Sequence, residues 1–317
     1  MELVGIPENP IPEGAVCGEF NAADGIRLRY ARWPAPKPNG RGTVCLFQGR
    51  AEFIEKYFET IADLLERNFS VVTMDWRGQG GSQRLLVDPR KGHVDGFEQY
   101  ELDLRAFLRE VVLPDCPPPH FALGHSMGGH VLLRIGRERT LFDRMVLVAP
   151  FIDFHMTPLK RRLAIGAAAA FNYLGLGDRY IPAGGATAVN TAPFAGNELT
   201  SDPDRYQRAN AIIDVAPNLA LGSPTIGWIH AAARAIREIA TEDFAFGIKI
   251  PTLVISAGSD TVVSNPAIEQ FVAAMRIGSN LVIPGARHEL MMERDVYREQ
   301  FLAAVDAFVP GALEKVA

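Results

Sequence analysis

Short runs of Val, Ile, Leu and Phe alternate along the chain with longer stretches whose apolar residues recur at helical spacing. That rhythm predicts a mostly parallel sheet with helices on both faces. The predicted buried strands are Thr43–Phe47, Val71–Asp75, Phe121–Leu123, Met145–Ala149, Thr252–Ala257 and Leu281–Ile283. Phe97, Tyr100, Leu104, Phe107, Leu108 and Val111 mark one face of a helix, and Tyr297, Phe301, Val305 and Phe308 another. Near the N-terminus, Ile26, Leu28 and Tyr30 alternate with Arg27 and Arg29, the pattern of an edge strand with one solvated face. Its expected antiparallel partner is the stretch around Cys17.

From about Phe151 to Phe246 the rhythm breaks, with helical blocks at Leu159–Tyr173, Asp204–Ile213 and Ile226–Ile239 and a glycine-rich stretch between the first two. The division expected is a core of residues 1–150 and 247–317 carrying a helical insertion, 151–246. A chain of 317 residues is long enough for one such elaborated unit.

Composition narrows the class. A charged fraction of 22% and a net charge of −5, with no Lys/Arg block, make nucleic acid an unexpected partner. Cys17, Cys45 and Cys116 are too few and too scattered for a metal or disulfide framework, and read as reduced thiols. The N-terminal MELVGIPENPIPEG has acids and prolines where a signal peptide needs a basic start, so a cytoplasmic location is expected. Leu163–Phe171, the most apolar stretch, is about half the ~20 residues of a membrane span. At most transient contact with a membrane surface is expected.

The chemistry concentrates at Gly124-His125-Ser126-Met127-Gly128, which follows an apolar run and opens a helical pattern. In that strand–turn–helix context G-x-S-x-G presents a serine at the carboxyl edge of a sheet. A serine hydroxyl needs a base, and the base an orienting acid. Asp260 follows the run PTLVISAGS, and His288 follows LVIPGAR after the last strand, so all three fall in carboxyl-edge loops. The bland alternatives are a turn role for Asp260 and another of the six remaining histidines: His125 and His130 flank the serine, and His93 lies in a loop that could line the site. The backbone N–H of Met127, at a helix N-terminus, and that of Arg50, in the loop after the first core strand, are the expected oxyanion donors.

With these motifs placed, the chain resembles the α/β-hydrolase family that holds monoacylglycerol lipases and bacterial lysophospholipases. The likeness runs from about Glu13 to Pro310 and rests on GHSMGG at 124–129, DWRGQGGS at 75–82, SAGSDTVV at 256–263 and His288. Where that family often has His-Gly-x-x-Glu, Gln48 replaces the histidine while Gly49 and Glu52 remain; the Gly-Arg-x-Glu form, DPRKGHVDGFEQYELDL and NELTSD look closer to the bacterial lysophospholipases. The resemblance implies that the insertion is a cap over the site, with Phe151, Phe154 and Trp228 binding substrate and Met156, Phe171, Tyr173 and Leu174 as further apolar walls. It implies ester hydrolysis of single-chain lipids, with a small-molecule ester as partner and no cofactor or metal. Cleavage of amides, thioesters or carbon–carbon bonds by the same three residues, or a silent ligand-binding role, are the alternatives.

Overall fold

The computed structural model describes residues 2–138, 141–191 and 193–310. The expected core boundary at 317 therefore lies outside the described residues.

Among the described residues eight strands form one sheet: β1 (Val16–Asn21), β2 (Arg27–Trp33), β3 (Thr43–Phe47), β4 (Ser70–Met74), β5 (His120–His125), β6 (Arg144–Val148), β7 (Thr252–Ala257) and β8 (Gly278–Ile283). Their spatial order is β1-β2-β4-β3-β5-β6-β7-β8. β1 and β2 join antiparallel, while β4 through β8 run parallel. Among the described residues the α-helices are α1 (Phe58–Glu66), α2 (Glu98–Phe107), α3 (Leu113–Asp115), α4 (Met127–Ile135), α5 (Pro158–Tyr173), α6 (Pro203–Val215), α7 (Ile226–Ile239), α8 (Glu242–Phe246), α9 (Asn265–Ala273) and α10 (Asp295–Phe308).

The two-residue period of the strands divides the core. Val44, Leu46, Val146 and Val148 face α1 and α10, packing with Phe58, Ile61, Phe301 and Val305. Cys45, Phe47, Leu147 and Val254 point the other way, onto α2, α4, α7 and α9 through Leu104, Val131, Ile236 and Ile268. Strands buried on both faces carry unbroken apolar runs, which is why they were legible.

β2 departs from the expected edge strand. It lies between β1 and β4, and Arg29 is 2% exposed. Its guanidinium binds Glu55 through two hydrogen bonds of 2.8 Å and Asp75 through Nε at 2.8 Å. An alternating arginine here is an interior cation held by two carboxylates, and the edge role passes to β1.

Between β6 and β7 the described residues form helices and loops and no strand of the sheet, and α5, α6 and α7 cover the three predicted blocks. α7 buries Trp228, Ala231, Ala232, Ala235 and Ile236. α6 places Ile212 and Ile213 against Phe53. On α5, by contrast, Ala168 alone is buried. No described helix is long and apolar enough to cross a membrane.

Candidate active site

β5 ends at His125, and the chain turns into α4 through Ser126 at φ 48° and ψ −112°. A non-glycine residue there costs of order 1–3 kcal/mol and persists only when neighbours enforce it. The Ser126 N–H donates to Val148 O at 3.0 Å, and its carbonyl accepts from His130 and Phe151, each at 3.0 Å. Proximity requires glycine at 128 and leaves little room at 124. A Cβ at 128 would stand 2.5 Å from Phe47 O and 2.6 Å from Gln48 O, and one at 124 would stand 2.5 Å from Leu132 Cδ1. The start of α4 is thus pressed against the loop after β3.

Ser126, Asp260 and His288, distant in sequence, meet here. The Ser126 hydroxyl lies 3.1 Å from His288 Nε2, and His288 Nδ1 lies 2.7 Å from Asp260 Oδ2. With Nδ1–H donating to the carboxylate, Nε2 is left to accept from the hydroxyl. Asp260 Oδ1 accepts from the amides of Val262 and Val263, at 2.7 and 3.0 Å. Burial opposes its ionisation, but His288 and these amides hold the carboxyl below its ordinary pKa.

The loop after β3 is tightly ordered. The Gly49 N–H donates to Glu52 and that of Ala51 to Gln79, and Arg50 lies between them. Gln48 reaches Thr73 and Asp75 at 3.3 and 3.4 Å, while its carbonyl accepts from the Trp76 indole at 2.9 Å. The glutamine therefore ties this loop to β4.

Phe151, Phe154 and Trp228, together with Arg50, Met127 and His288, line a cavity of about 240 Å³ at Ser126. A second cavity of about 270 Å³, walled almost entirely by apolar groups such as Ile165, Ala168 and Phe171, shares Phe154 and Ile229 with it. Two proposed walls are corrected: Tyr173 and Leu174 are 92% and 69% exposed, because α5 turns that end to solvent. Nor does His93 line the site. Its Nδ1 meets the Thr225 hydroxyl at 2.8 Å, at the start of α7.

Sequence reasoning missed a buried polar cluster beneath the cavity. Lys56 Nζ binds Glu52 at 2.9 Å and Glu289 at 2.6 Å, and the Tyr57 hydroxyl donates to Glu52 at 2.6 Å. His125 lies between Glu52 (Nδ1, 3.2 Å) and the carbonyl of His288 (Nε2, 3.2 Å). Burial works against its charge, yet Glu52 outweighs burial and raises its pKa. The i,i+4 pair Glu52/Lys56 was the visible signal. His130 differs: burial pulls its pKa down to about 3, and it donates from Nδ1 to Phe151 O at 2.7 Å. No cluster of metal-ligating side chains occurs among the described residues.

The sequence pattern of Hydrolase_4, "Serine aminopeptidase, S33", matches residues 38–295. The chain belongs to this family. Lysophospholipase L2 of Escherichia coli K12 is 33% identical over 300 residues, covering 92% of this chain and 86% of that protein. The probable lysophospholipase L2 of Haemophilus influenzae is 31% identical, over 90% and 88% of the two chains. Among solved structures, a soluble variant of monoglyceride lipase from Saccharomyces cerevisiae superposes with a TM-score of 0.72 at 20% identity, over 94% of this chain and 95% of the other. The fold is that of the α/β hydrolases.

Proposed function

We propose that this protein is a serine hydrolase of single-chain lipid esters, acting as a lysophospholipase, with Ser126 as nucleophile, His288 as general base and Asp260 as the acid that orients it. The observation that carries the reading is the hydrogen-bonded line from Ser126 through His288 to Asp260, opening into a mainly apolar cavity. The kinship with lysophospholipase L2 supports the substrate class.

In the first half-reaction Ser126 Oγ attacks the ester carbonyl carbon as its proton passes to His288 Nε2. The carbonyl oxygen becomes an oxyanion, received by the backbone amides of Met127 and Arg50. On collapse the carbon–oxygen bond to the glycerol breaks, and His288 returns the proton to the leaving alkoxide. Water then loses a proton to His288 and attacks the acyl-enzyme, Ser126 takes that proton as it departs, and a fatty acid is released. Residues 151–246 act as the cap. Its Trp228 joins Phe151 and Phe154 along the acyl path, which continues into the apolar cavity at Ala168 and Phe171. Exposed Leu159, Leu163 and Phe171 on α5 suit brief contact with a lipid surface.

The test is a fluorophosphonate probe followed by peptide mapping, with kcat/KM measured on p-nitrophenyl esters of two to sixteen carbons, 1-oleoyl-lysophosphatidylcholine, triolein and an aminoacyl amide. Label on Ser126 and a rate rising with chain length are expected, since each buried methylene contributes about 0.8 kcal/mol. Label elsewhere, or faster cleavage of the amide than of any lipid ester, would overturn the proposal.

A further inference from the structure

Arg50 is singled out by its lack of a counter-ion. The fully buried arginines hold carboxylates: Arg29 binds Glu55 and Asp75, and Arg77 binds Asp24 and Asp103. Arg84 has no carboxylate, but four backbone carbonyls, those of Gly78, Gly80, Asn218 and Ala220, accept from it. Arg50 has one such carbonyl, that of Gly222, to which Nη2 donates at 2.7 Å. Its guanidinium carbon lies 5.3 Å from the centroid of the Trp228 ring, and Nε is buried without an acceptor. Among the described residues no carboxylate is in ion-pair range of it.

This cation lines the same cavity as Ser126 and His288. The acids of that cavity are already engaged, Glu52 by Lys56 and His125 and Glu289 by Lys56. Burial pulls the Arg50 pKa down to about 10, which leaves it charged at neutral pH. A half-buried guanidinium without a counter-ion is costly, and its planar fork of donors matches the oxygens of a phosphate. Gly222 and Trp228, which hold the side chain, belong to the inserted segment, whereas Arg50 belongs to the core loop. The charge is therefore fixed where the two meet.

We propose that the Arg50 side chain binds the phosphodiester of the substrate headgroup, so that the enzyme prefers glycerophospholipid monoesters to neutral monoacylglycerols. This rests on the lysophospholipase reading and extends it from the acyl side to the headgroup. Its role is separate from that of the Arg50 backbone amide, which any substitution retains.

The experiment compares 1-oleoyl-lysophosphatidylglycerol with 1-oleoylglycerol in neutral detergent micelles at fixed ionic strength, for the wild type, R50Q and R50K, with melting curves as a fold control. The quantity read is the ratio of the two kcat/KM values, in which any loss common to both substrates cancels. R50Q should lower that ratio about ten- to a hundredfold, the range of a charge-assisted hydrogen bond. R50K, which keeps the charge but not the fork, should lower it less. A wild type that cleaves both lipids with an R50Q ratio unchanged would overturn the headgroup role alone. A wild type that cleaves 1-oleoylglycerol and not the lysophospholipid would overturn the parent reading as well. Inorganic phosphate supplies the last arm: if it inhibits the wild type but not R50Q while the ratio stays constant, the guanidinium serves a free anion and the headgroup role falls.

Discussion

His125 holds the backbone carbonyl of His288 at 3.2 Å from its Nε2 while its Nδ1 faces the Glu52 carboxylate. Both ring nitrogens thus meet acceptors, which suits the doubly protonated imidazolium. Tyr57, Lys56, Glu289 and His288, whose ring centroid lies 4.9 Å away, are the other ionisable groups around this pair; burial and Lys56 oppose the charge. Because the folded pKa of His125 is raised, its stabilisation is fully present below the unfolded value near 6.5 and is lost as pH rises through the folded pKa. Urea unfolding between pH 5.5 and 8.5 should show stability falling more steeply with pH for the wild type than for His125→Asn. Parallel curves would remove the imidazolium from the account.

Asp260→Asn should lower kcat by about four orders of magnitude with the fold intact, because His288 would lose the partner that sets its tautomer. Circular dichroism controls for structure. Near-normal turnover would place the orienting acid elsewhere.

Gly128→Ala should both destabilise the protein and slow it. The added methyl would meet the carbonyls of Phe47 and Gln48, which are backbone and cannot rotate away. Overpacking of this kind costs about 1–3 kcal/mol. Separating α4 from the Gln48–Arg50 loop would also misplace one of the proposed oxyanion donors, at roughly a hundredfold or more in kcat. A variant with wild-type kcat and melting temperature would contradict the close approach.

Ala168→Phe should shorten the preferred acyl chain, since Ala168 walls the second apolar cavity beside Phe154. The kcat/KM for p-nitrophenyl butyrate should hold while that for the palmitate falls about tenfold or more, the loss of roughly two buried methylenes. An unaltered chain-length profile would route the acyl chain elsewhere.

Arg29→Met should cost about 3–5 kcal/mol in urea unfolding, because Glu55 and Asp75 would be left buried without their cation. A change below ~1 kcal/mol would show that those carboxylates protonate or find other partners without penalty.

The inner strands were legible because strands covered on both faces must be continuously apolar, and β3 and β7 span the predicted residues; Leu281–Ile283, expected to be buried, instead lies on the edge strand β8 with Leu281 and Val282 exposed. The three residues of the Ser126 line were legible for a topological reason: parallel strands put their carboxyl ends on one edge, so residues that follow β5, β7 and β8 must converge. Local chemistry also told which glycines the turn at Ser126 needs.

Alternation alone could not tell the solvated face of a strand from an interior ion pair. Arg29 reads as solvent-facing until Glu55 and Asp75, 26 and 46 residues away, are brought against it. Likewise Tyr173 and Trp228 both read as apolar walls in sequence, but α5 turns the first to solvent while α7 buries the second to 5% exposure. Sequence by itself determined where the strands run and which serine, acid and histidine share an edge, because backbone periodicity and strand direction are local properties. Only the tertiary structure decided which charges are compensated, from the Lys56 bridge to the unpaired Arg50, because a counter-ion is defined by distance in space and not along the chain.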